Sequence, residues 1–132
     1  MKIAVIIAAI LIIIVAAAFI DQIPKFYKLR NCQGIYWRRK YPNVSKKEIR
    51  NFLEIFVSAF AFKNKHRCKF NPDDKVMDIY NAIYPSKFLG GDAMELEELA
   101  DACKKEYEVD LNEIWNVDLT LGQIYDEIIR KK

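Results

Sequence analysis

Glu97, Glu98 and Asp101 form a close group of carboxylates, and they are the first side chains to consider for acid–base chemistry. Such chemistry needs a cleft, a desolvated partner and usually a positioned base. The one histidine, His66, lies in a Lys/Arg run, and no Ser-His or Cys-His arrangement accompanies it. Cys32, Cys68 and Cys103 form no CxxC pair, and an odd count makes no disulfide framework, which fits a reducing compartment. His66 with Cys68 supplies two ligands, too few for a metal site. These residues predict no enzyme, no metal and no cofactor.

The elements that must position the carboxylates read as helices. Ser45 with Glu48 makes a capping box, and Ile49, Phe52, Leu53, Phe56, Val57 and Phe60 follow at helical spacing, so a helix is expected over about 46–62. Residues 63–70 read as a basic loop. Asn71-Pro72 opens a short helical stretch holding Val76, Met77, Ile79, Tyr80 and Ile83, which Pro85 stops. Asp92 with Glu95 makes a second capping box, ahead of Leu96, Leu99, Ala100, Cys103 and Tyr107, and predicts a helix over about 93–107. Residues 111–115 read as at most one turn. Thr120 with Gln123 caps a last helix striped by Leu121, Ile124, Tyr125, Ile128 and Ile129. No period-two alternation bounded by turns occurs after position 45, so the fold class is all-α, a three- or four-helix bundle.

Ahead of that bundle, Ile3 to Ile20 are 18 consecutive apolar residues, about 27 Å of helix against a hydrocarbon core of roughly 30 Å. Their summed insertion energy is on the order of −4 to −7 kcal/mol. A single transmembrane helix over 1–22 is therefore expected. Ala16, Ala17 and Ala18 also suit a cleaved signal peptide, the exported alternative. Residues 21–50 carry nine Lys/Arg against Asp21 and Glu48, whereas 71–132 carry seven basic residues against fifteen acidic. Lys25, Lys28, Arg30, Arg38, Arg39 and Lys40 are interleaved with aromatics including Trp37. Residues 23–44 thus read as a juxtamembrane segment on the lipid bilayer, with the domain at 45–132 facing the cytoplasm from the inner membrane. No nucleic-acid motif accompanies the cations, and the acidic half would repel phosphate.

NPDDKVMDIY at 71–80, GGDAMELEELADACKKEYEVDL at 90–111 and LTLGQIYDEI at 119–128 occur in the order found in acyl carrier proteins, and this part of the chain resembles that family. The resemblance implies a small helical bundle whose second helix is acidic and docks basic patches of protein partners. It places Ala93 where the family has the serine that carries phosphopantetheine, and a methyl group cannot form a phosphodiester. Ser86, outside the motif, is the alternative hydroxyl of a working carrier. On a helical wheel Met94, Glu97, Glu98 and Asp101 face away from the apolar stripe, so with Asp92 they are the candidate partner-binding residues. The implied function is a membrane-anchored, non-catalytic, carrier-like docking domain with a protein partner and no small-molecule substrate. A plain solvated face fits the same residues.

Overall fold

The computed structural model describes residues 2–19, 22–85 and 93–132, with the side chains of 16–19 left aside. Eight α-helices lie along the described chain: α1 (Lys2–Phe19), α2 (Lys25–Lys28), α3 (Gly34–Lys40), α4 (Lys46–Ala59), α5 (Val76–Ile83), α6 (Met94–Tyr107), α7 (Leu111–Ile114) and α8 (Leu121–Lys131). The expected basic loop at 63–70 is instead a 3-10 helix, Asn64–Lys69, packed on α4 with His66 buried. An isolated antiparallel bridge joins Lys75 to Thr120. The all-α class holds for the described residues.

The transmembrane span is corrected. Among the described residues no helix is long and apolar enough to cross a membrane. α1 runs from Lys2 to Phe19. The side chains of Ile3 through Val15 are exposed all round. The remainder of the expected span, through Ile20, lies outside the described side chains.

Residues from the segment before position 45 pack with the helices after it. Ile23, Tyr27, Trp37 and Tyr41, all from the expected juxtamembrane segment, are core residues of the bundle. Trp37 is 1% exposed, stacks on Tyr41 at 5.9 Å, and meets Phe52 and Tyr125 edge-on at 6.0 Å. Its indole N–H donates to the Phe70 carbonyl at 2.8 Å, which satisfies the one polar atom the ring brings into the core. A second aromatic group, Phe56, Phe60, Phe62 and Phe70, continues the core, with the Phe62 and Phe70 rings stacked at 5.5 Å. Arg30 fastens the segment from outside. Its guanidinium grips Asp74 at 2.7 and 3.0 Å and donates to the Lys69 carbonyl at 3.0 Å.

The remaining helices close on this core by ordinary local rules. Ser45 caps α4 by accepting from the Glu48 N–H, and Thr120 with Gln123 completes a two-way capping box on α8. The chain before α5 then meets the start of α8, where Gly122 N–H donates to the Pro72 carbonyl at 2.8 Å and Val76 N–H to the Leu119 carbonyl at 2.9 Å. A Cβ at Gly122 would lie 2.9 Å from that Pro72 oxygen, so this approach requires glycine.

Candidate functional site

The acidic helix α6 is set by its ends. Ala93 precedes it in the left-handed region at φ 62°, and Glu108 follows it there at φ 57°. The helix closes with Glu108 N–H donating to the Lys104 carbonyl at 3.1 Å, the bond of an αL end, and Val109 N–H donating to the Cys103 carbonyl at 3.3 Å. Glu95 and Glu97 occupy its first turn, Lys104 and Lys105 its last, the arrangement the helix dipole favours. Leu99 and Cys103 are fully buried, and burial pushes the Cys103 thiol up to about 12.

The face opposite that stripe carries the predicted partner-binding residues. Glu97, Glu98 and Asp101 are exposed, and Met94 is 56% exposed among them. Asp92 lies outside the described residues, as does Ser86. Beside the face, α4 and α6 bound an open groove of about 600 Å³. Glu98 lines it, joined by Glu54 and Glu106, with Ile55 and Ala102 among the apolar lining. Lys105 lines it too, and Arg67 lies 3.8 Å from Glu54. Glu97, Asp101 and Met94 flank the groove without lining it. Glu54 and Glu106 escaped the sequence reading because only their meeting across two helices makes them one surface.

The expected Asp92–Glu95 capping box is corrected on the Glu95 side. Glu95 is the second residue of α6, one short of the position from which a side chain reaches back to the cap, and its carboxylate turns inward. It is 8% exposed and accepts from the Tyr84 hydroxyl, with the Gln22 amide at 3.4 Å. The same amide donates to the Phe60 carbonyl at 2.6 Å. Glu95 Oε2 is buried without a hydrogen-bond partner among the described residues. The sequence held a signal for this: Glu95, Leu99 and Cys103 are spaced by four and share one face. The buried face is accordingly turned from Leu96, which is only half-buried, toward Glu95.

The residues expected at a membrane surface differ in burial and pairing. Trp37 is removed from it by burial. Arg30 is spent on Asp74, whose hydrogen bond raises the guanidinium pKa further, and it also lies 5.0 and 5.1 Å from the Phe26 and Tyr27 ring centres. Lys40 sits 3.7 Å from Asp73. Lys25, Lys28, Arg38 and Arg39 are exposed. The chain matches no family model, no curated protein and no solved structure.

Proposed function

We propose that this chain is a non-catalytic, acyl-carrier-like interaction domain that docks a protein partner with a basic patch through α6. One observation carries the reading. Met94 is 56% exposed on a helix whose opposite side is buried, and the exposed carboxylates Glu97, Glu98 and Asp101 follow it along the same face. An apolar side chain on a helix, beside charges of one sign, has the makings of a docking anchor with a steering rim. The groove beside it, with Glu54, Glu98 and Glu106, extends the acidic surface onto α4. Ala93 matches the family's attachment serine and offers no hydroxyl, so the role is binding without acyl transfer.

The test compares the intact chain with a Glu97→Lys, Glu98→Lys, Asp101→Lys variant as crosslinking baits in cell extract. The triple reversal is expected to lose a specific captured protein while its melting curve stays close to wild type, since exposed substitutions cost about 0.5 kcal/mol or less. Met94→Ala should accelerate dissociation of the same protein, and rising salt should slow its association. Identical capture by all three chains overturns the reading and leaves a solvated face.

A further inference from the structure

On the far side of α4 from the acidic groove lies a second concavity of about 520 Å³ with the opposite charge. Its apolar lining comes from Val44, Ile49, Leu53 and the almost fully buried Trp37, and Ile35 extends it while remaining 52% exposed. Its rim is cationic. Arg38 comes from α3, Lys46 and Arg50 from α4, and Lys65 and Arg67 from the 3-10 helix. Among the described residues no carboxylate lines it. Arg67 leans 3.8 Å from Glu54, but among the described residues Arg38, Lys46, Arg50 and Lys65 have no ion-pair partner.

Bringing cations from three elements around one cavity costs mutual repulsion, and a low-dielectric wall concentrates their field inside it. Lys46 adds to the cost, because it stands in the first turn of α4, where the helix dipole disfavours a cation. Helical folding needs none of this. An anion would relieve the repulsion, and the apolar lining selects one that brings a hydrocarbon part. The volume lies within the range of about 300 to 1,000 Å³ typical of small-molecule sites.

We propose that this groove binds a small amphipathic anion, with an alkyl chain or ring on the Val44–Ile49–Leu53 lining and a phosphate or similar head among Arg38, Lys46, Arg50 and Lys65. The site is separate from the α6 face, so the proposal stands or falls independently of the docking function.

Cys32 and Cys68 line the same groove, and Cys32 is exposed, so its thiol reports on occupancy. The experiment follows Cys32 alkylation in the full-length reduced chain with iodoacetamide at pH 8, read by peptide mass spectrometry. Buried Cys103 serves as the internal control for an intact fold. Hexyl phosphate is the probe. With a Kd of about 1 mM, about 10 mM probe should slow Cys32 labelling about tenfold, saturably. Hexyltrimethylammonium at the same concentration should not slow it.

The Arg38→Glu, Arg50→Glu double variant, with both substitutions at exposed positions, should lose the protection when each chain is scored against its own probe-free rate. Ile35→Asn should weaken protection by hexyl phosphate. Labelling of Cys103 would disqualify a variant as unfolded, in which case the wild-type comparison among probes decides. No protection of wild type by hexyl phosphate overturns the proposal, as does full protection in the folded double variant. Equal protection by inorganic phosphate, or by a short oligodeoxynucleotide at lower concentration, overturns the amphipathic ligand.

Discussion

Truncating Trp37 separates a core role from a membrane-surface role more sharply than any other change. The ring is 1% exposed and meets Tyr41, Phe52 and Tyr125 at centroid distances of 5.9 to 6.0 Å. Trp37→Ala removes all three contacts and opens a cavity between α3, α4 and α8, a class of change that costs about 3 to 5 kcal/mol. Trp37→Phe keeps most of the apolar volume but strands the Phe70 carbonyl that the indole N–H holds at 2.8 Å. A buried acceptor left unpaired costs about 1 to 3 kcal/mol, so the phenylalanine variant should fall between wild type and alanine. Set against a total stability of about 5 to 15 kcal/mol, the alanine variant loses a large share of its folding free energy. Urea unfolding followed by circular dichroism at 222 nm measures this directly, with the slope checked for constancy so that a midpoint shift reports stability. Equal midpoints for wild type and Trp37→Ala would refute the core placement of the segment and restore it to a surface role.

Leu99→Ala should cost about 2 to 5 kcal/mol in the same assay, because the side chain is fully buried; an unchanged midpoint would mean the phase of α6 is wrong. Gly122→Ala places a methyl 2.9 Å from the Pro72 carbonyl oxygen and from Lys40 Nζ. The lysine can swing away but the backbone cannot, so a loss of about 1 to 3 kcal/mol is expected, and thermal melting of the variant checks it. Burial pushes Tyr27, Tyr107 and Tyr125 up from 10.0 to about 12. Each of these groups is protonated more strongly in the folded chain than in the unfolded one. The stability they contribute is therefore complete below pH 10 and is lost as pH rises toward 12. Absorbance at 295 nm should show their ionisation delayed and joined to alkaline unfolding, and a single early transition near 10 in the folded protein would contradict the burial.

The long helices were legible because their information is local. In α4 and α8 the cap residue and the apolar stripe lie within one segment, and Ser45, Thr120 and Gln123 act as their spacing implied. Exposure of Glu97, Glu98 and Asp101 was legible for the same reason, since helical phase alone points them away from Leu99. The short helices α2 and α3 were not. Four and seven residues are too few to show a 3.6-residue period, so Tyr27, Trp37 and Tyr41 were read from composition alone. Aromatic rings between cations describe a bilayer interface and equally a segment that buries its rings and leaves its charges wet.

By itself, then, the sequence determined the helical class, the caps of α4 and α8, the exposed side of α6 and the absence of a hydroxyl at Ala93, all properties of residues within a turn or two of one another. Tertiary structure alone decided where the basic segment goes. It drew Trp37 into the core by giving its N–H a partner 33 residues away, and it spent Arg30 on an aspartate 44 residues away. It also turned Glu95 inward to Tyr84 and divided the charges of α4 between an acidic and a basic groove. Each of these outcomes depends on a partner distant along the chain, and burial of a polar or charged group is decided by whether that partner exists in space.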